Sequence, residues 1–167
     1  HKMEPITTPT TATVKPNIIL VHGSWGEGSI WSKVTLGLLA KGYNVRAVQN
    51  LATSLTDDIE RVNQLVASLD GPSILVGHSY GGMIITGAGN SDKVIGLVYI
   101  AAFVPDQGES LMTLGAMKDP APGLGFIVPD ASGFTTYAIS AFRENMCPDI
   151  DECLATAMAH AQKPTKL

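Results

Sequence analysis

The chain opens its first clear pattern at Asn17-Ile18-Ile19-Leu20-Val21, an uninterrupted apolar run that suits a strand buried on both faces. Residues 29–41 follow with helical character, closed by Gly42 as a C-terminal cap, and Tyr43-Asn44-Val45-Arg46-Ala47-Val48 forms the next strand. Thr56 is the expected cap of a second helix, whose first turn carries Asp57, Asp58 and Glu60 at the positive end of the dipole. Its Ile59, Val62, Val66 and Leu69 make one apolar stripe, so it should pack on a sheet. A strand over 73–76, a helix over 82–88 and a core strand over 94–103 complete an alternation that predicts a mostly parallel sheet with right-handed crossovers and helices on both faces.

The pattern changes after Phe103. Pro105, Pro120, Pro122, Pro129 and several glycines interrupt any long element, while Met112, Leu114, Met117, Leu124, Phe126 and Ile127 keep the segment apolar. Two helices are expected, near 136–145 and 149–162. This arrangement reads as a lid over a site and not as another sheet layer, with the Met and Leu group forming an apolar pocket. The chain therefore divides into a tail over 1–16, an α/β core over 17–104 and a cap over 105–167. In the tail, His1-Lys2-Met3 reads as an expression scar and Thr7 to Thr13 as a Thr/Pro tract too polar to order itself.

Composition narrows the function. With 167 residues and 45% hydrophobic content there is material for one core. A formal charge of −4 and a pI near 5.4 leave no basic surface for a nucleic acid. The longest apolar run, from Val94 to Val104, is interrupted by Gly96 and too short to cross a bilayer. Cys147 and Cys153 have no metal-type spacing and leave the redox compartment open, so a cytoplasmic and a processed, secreted chain are both compatible with the sequence.

The chemistry concentrates at Gly77-His78-Ser79-Tyr80-Gly81, between the strand Ser73-Ile74-Leu75-Val76 and Gly82-Met83-Ile84-Ile85. A serine on a sharp strand-to-helix turn is a nucleophile elbow. The flanking glycines have a steric reason, since a Cβ there would collide with neighbouring backbone. The spacing lacks the Gly-x-Gly-x-x-Gly of a dinucleotide site, and no Lys-Ser or Lys-Thr follows to make a phosphate loop. Acyl transfer also needs two N–H groups aimed at the oxyanion. Tyr80, after the nucleophile, is one candidate, and Ser24 in Val21-His22-Gly23-Ser24-Trp25 is the other.

These motifs, with Gly28-Ser29-Ile30-Trp31, Lys41-Gly42-Tyr43 and Tyr99-Ile100-Ala101-Ala102-Phe103-Val104-Pro105-Asp106, resemble bacterial α/β-hydrolases of the esterase type. More distantly, the chain is similar to plant hydroxynitrile lyases and methyl-salicylate esterases. The resemblance covers roughly residues 17–162 and implies a Ser79 nucleophile, oxyanion donors at Ser24 and Tyr80, a cap after Phe103, and an acyl-enzyme route on a small apolar carboxylic ester. Trp25, His78, Phe103 and Met112 are the expected substrate-lining residues. No metal or organic cofactor is implied. A serine at the elbow argues against dehalogenases, which place an aspartate there.

In this family the triad runs serine, acid, histidine, with the histidine near the chain end. No histidine here suits that role: His1 falls in the scar, His22 closes a strand, His78 should point away from the neighbouring hydroxyl, and His160 sits late in the cap. Asp106 is placed for an acid but also reads as a turn. The sequence is thus expected to be the front part of a larger hydrolase, truncated before its last strands by on the order of 100 residues. A fragment whose acid and base lie on a second polypeptide, a genetic truncation, and a pseudoenzyme binding an apolar ligand all remain open. Hydroxynitrile lyase chemistry on the same scaffold would need a lysine in the later part of the family's chain. An uncovered strand edge would also favour self-association.

Overall fold

A computed structural model describes residues 14–117 and 119–166. Residues 1–3, expected to be an expression scar, and the Thr/Pro tract lie outside the described residues. Strands β1 (Asn17–Val21), β2 (Val45–Val48), β3 (Ser73–Ser79) and β4 (Val94–Ala102) form one parallel sheet in the order β2-β1-β3-β4. The connections carry helices α1 (Ser32–Ala40), α2 (Leu55–Ser68) and α3 (Gly81–Ala88).

Alternation along β1 divides the core. Ile19 and Val21 join Leu75 and the helix residues Val62, Val66, Met83, Ile84 and Ile85, while Ile18 and Leu20 pack with Trp31, Val45 and Val76 on the other face. A strand buried on both sides needs this continuous apolar run.

Three boundaries differ from expectation for local reasons. A 3₁₀ turn over Gly28–Trp31 precedes α1, because the Glu27 carboxylate accepts from Ser29 N and tightens the entry. The cap of α2 is Ser54, whose Oγ accepts from Asp57 N at 3.1 Å; Thr56 lies inside the first turn. The third difference is β4, expected as a core strand. Among the described residues it lies at the sheet edge, pairs only with β3, and leaves its apolar side chains largely uncovered, with Ile95 61% exposed.

Beyond β4 come the short α4 (Leu111–Gly115), a 3₁₀ turn over Pro122–Phe126, β5 (Ile127–Pro129), β6 (Phe134–Tyr137), α5 (Ile139–Met146), α6 (Glu152–His160) and β7 (Thr165–Lys166). The expectation of a lid without a sheet is corrected here. Strands β5, β6 and β7 form a small antiparallel sheet. Thr135 and Tyr137 alternate inward along β6, so the helix expected near 136–145 begins only at Ile139. Tyr137, Ala141, Phe142, Cys147, Ala155 and Ala159 make the core of this second unit. Cys147 is buried, Cys153 is exposed and both are free thiols.

Candidate active site

The site is built from the C-terminal ends of β1 and β3. Ser79 ends β3 with φ of 53°, in the left-handed region that a serine rarely adopts without external restraint. The restraint is close packing. A Cβ on Gly77 would lie 2.6 Å from Gly81 O, and one on Gly81 would lie 2.9 Å from His22 O and closer still to Val21 O. The turn can therefore press against β1 only where no side chain intervenes. Gly23 completes the fit, since a Cβ there would stand 2.8 Å from Ser79 Cβ and 3.3 Å from Ser79 Oγ. The Ser79 hydroxyl thus faces the backbone of the loop that carries Ser24.

Tyr80 caps α3 from a buried position, and its hydroxyl donates to Asp58 Oδ2 at 2.8 Å. Asp58 Oδ1 accepts from Ala52 N at 2.9 Å. Burial, reinforced by this carboxylate, raises the Tyr80 hydroxyl well above the ordinary tyrosine range, so it remains a donor. This pair ties the start of α3 to α2. The sequence marked Asp58 only as a helix-dipole residue; its separation of 22 positions from Tyr80 gave no signal of contact.

Within the described residues, the turn, loop and cap hydrogen bonds leave the N–H groups of Ser24 and Tyr80 without a protein acceptor. The loop that presents Ser24 is held from the second unit. Trp25, with φ of 61°, donates its N–H to Thr165 Oγ1 and its indole Nε1–H to Thr135 Oγ1, both at 3.1 Å. Its ring lies 5.4 Å from that of Tyr137. Sequence separations of 110 and 140 residues hide these partners from any local reading.

His22 is buried; its Nδ1–H donates to Gly23 O at 2.8 Å and its Nε2 accepts from Asn50 N at 3.1 Å. His78 meets Trp31 edge-on with ring centroids 6.5 Å apart, and His160 stands exposed at the end of α6. None of these imidazoles makes a hydrogen bond to Ser79 Oγ among the described residues. Asp106 forms a turn, its N–H donating to Glu109 Oε2 at 2.7 Å, and lines a cleft with Leu55, Ile59 and Met83 away from His78. A cavity of about 250 Å³ brings together Ser24, Trp25 and His78 with Phe142, Met146 and Met158. Phe103 follows β4, where its N–H donates to Ser79 O at 3.1 Å, and is not part of that lining. Met112 is 84% exposed on α4 and is likewise not brought to it.

Residues 18–165 match the alpha/beta hydrolase family. The chain belongs to that family. It is 32% identical over 112 residues to a carbendazim hydrolyzing esterase from Nocardioides sp., covering 59% of this chain and 46% of that protein. It is 32% identical over 120 residues to a pyrethroid hydrolase from Sphingobium wenxiniae, covering 64% and 43%. Methylesterase 8 of Arabidopsis thaliana is 36% identical over 112 residues, covering 58% and 41%. The chain thus spans less than half the length of these curated relatives. Among solved structures, a pyrethroid hydrolase from Sphingobium faniae superposes with a TM-score of 0.71 at 27% identity, covering 82% of this chain and 62% of that one. Tomato methylketone synthase I superposes with a TM-score of 0.77 at 19% identity, covering 92% and 69%, a likeness of fold alone.

The environment of the candidate site is testable through stability. Burial lowers the His22 and His78 imidazoles below their ordinary value of 6.5. Above that pH both folded and unfolded forms are neutral there and the groups contribute nothing. As pH falls through 6.5 the unfolded chain takes up protons that the folded one resists, so stability declines. The thermal midpoint is expected to be level between about pH 7 and 8 and to fall between about pH 6.5 and 5.5. A midpoint that stays level or rises over the acid interval contradicts these two environments.

Proposed function

We propose that the protein is a serine hydrolase of small apolar carboxylic esters. The observation that carries this reading is the left-handed Ser79, held between Gly77 and Gly81 with its hydroxyl against the Ser24 loop. Ser79 Oγ attacks the ester carbonyl carbon and gives its proton to a base. The N–H groups of Ser24 and Tyr80 receive the charge that develops on the carbonyl oxygen. The carbon–oxygen bond to the alcohol then breaks, the alcohol departs with that proton, and water releases the acid from the acyl-enzyme. Relatives named as esterases and a pyrethroid hydrolase support the ester class.

The acid and the histidine base are assigned in this proposal to polypeptide outside residues 14–166, paired along the outer edge of β4. The uncovered apolar residues of β4 support that location. A second reading, an apolar-ligand-binding protein without turnover, is favoured by the lack, among the described residues, of any imidazole hydrogen-bonded to Ser79 Oγ. Hydrolysis of p-nitrophenyl butyrate by the protein as the cell makes it separates the two. Ser79→Ala is expected to lower kcat/KM at least about a thousandfold with the circular dichroism spectrum unchanged. Turnover that survives this substitution refutes the hydrolase proposal.

A further inference from the structure

Asp58 lies fully buried in the first turn of α2, and ester attack by Ser79 makes no direct use of its charge. Its two oxygens face different donors: Oδ2 accepts from the Tyr80 hydroxyl at 2.8 Å and Oδ1 from Ala52 N at 2.9 Å. Both donors are neutral, and both residues are buried. An ionised carboxylate is an acceptor at both oxygens, so it can hold two groups that arrive from separate directions, through bonds stronger than neutral ones. Held by neutral donors, a buried charge stabilises a fold less than apolar packing of the same volume would. What it supplies is fixed geometry.

The two donors lead to the two loops that carry Ser24 and Tyr80. Tyr80 follows the nucleophile directly, so anchoring its hydroxyl on α2 fixes the residue whose own N–H heads toward the oxyanion. Ala52 leads to the other loop. It stands in the left-handed region with φ of 61°, its N–H on Asp58 and its carbonyl accepting from Lys166 N at 2.9 Å. That second bond docks β7 against Ala52. Thr165, the neighbour of Lys166, accepts the Trp25 N–H on Oγ1, and Lys163 forms a bridge with Trp25. Trp25 is the residue after Ser24.

We propose that Asp58 is a positioning residue of the hydrolase site, holding the Ser24 and Tyr80 N–H groups at their separation through Tyr80 on one side and through Ala52 and β7 on the other. The inference rests on the ester-hydrolase reading and adds the group that keeps its oxyanion donors in place. A donor is effective only at about 2.7–3.1 Å from the oxyanion, so a small displacement weakens the transition state and leaves the bound substrate little affected.

The test is reaction of the protein as the cell makes it with a fluorophosphonate, read as two quantities: the rate, and the final fraction of Ser79 modified. Tyr80→Phe removes one hydroxyl and little else. It is expected to reach the parent's final fraction about ten- to a hundredfold more slowly, and with p-nitrophenyl butyrate to lower kcat by a similar factor while KM stays within about twofold. A purely structural role would lower the final fraction and leave the rate of the reactive molecules unchanged. Asp58→Ala should slow the reaction at least as much, and Tyr80→Phe added to it should bring no further slowing, because the tyrosine acts through the carboxylate. Asp58→Asn keeps an oxygen for Ala52 N–H and an amide that can donate to the Tyr80 hydroxyl, so it should recover most of the rate lost in Asp58→Ala. Tyr80→Phe decides the matter alone if Asp58→Ala does not fold. A Tyr80→Phe protein that reacts at the parent's rate per modified Ser79, or losses that multiply in the double variant, overturns the proposal. A parent protein that never reacts at Ser79 refutes the hydrolase reading itself, and this inference falls with it.

Discussion

Gly81→Ala is expected to destabilise the fold by about 3 kcal/mol or more. The added methyl would meet Val21 O and, at 2.9 Å, His22 O. Both belong to backbone at the end of β1, which is hydrogen-bonded to β2 on one side and to β3 on the other. A flexible side chain could swing away from such a contact, but a central strand cannot do so without breaking its ladders. The loss is a large share of the ~5–15 kcal/mol that holds a domain together. Gly37, inside α1, provides the internal comparison, because nothing lies within 4 Å of a Cβ placed there. Gly37→Ala should be neutral or stabilising by about 0.5–1 kcal/mol, through lower entropy of the unfolded chain. Urea unfolding of the two variants measures the contrast. Similar midpoints for Gly81→Ala and the parent would mean that the elbow does not press on β1 as described.

Such contrasts show which features a sequence exposes. The elbow was legible because its constraints are local: two glycines flank one serine, with an apolar strand before and a helix after. The parallel sheet was legible because burial on both faces leaves unbroken runs such as Ile18 to Val21. The role of β4 was less visible, since an apolar run reports suitability for burial and says nothing of which neighbours are present. The small antiparallel sheet was missed because β6 has only four residues, too few for a period of two to stand out beside the adjoining α5. The restraints on the site were hidden for another reason. Asp58 with Tyr80, and Trp25 with Thr135 and Thr165, are meetings of distant residues with no spacing rule to announce them. Phe103 and Met112 were placed by proximity to the elbow along the chain. The cavity draws instead on α5 and α6, which return to the Trp25 loop.

The elbow and the Ser24 loop both serve one claim, that Ser79 is the nucleophile and takes its base from beyond the described residues. Without an imidazole to remove its proton, Ser79 remains an ordinary hydroxyl despite its backbone strain. His22 is held by Gly23 O and Asn50 N, and among the described residues no imidazole is hydrogen-bonded to Ser79 Oγ. The most direct measurement is reaction with a fluorophosphonate at neutral pH, followed by mass mapping of the modified peptide, on the 167-residue chain and on the protein as the cell makes it. The account predicts modification at Ser79 in the cell-made protein, absent in Ser79→Ala, and at least about a thousandfold slower in the 167-residue chain alone. Equally rapid labelling of Ser79 in the chain alone would place a base within it, and an unmodified Ser79 in a cell-made protein that still hydrolyses esters would contradict the nucleophile itself.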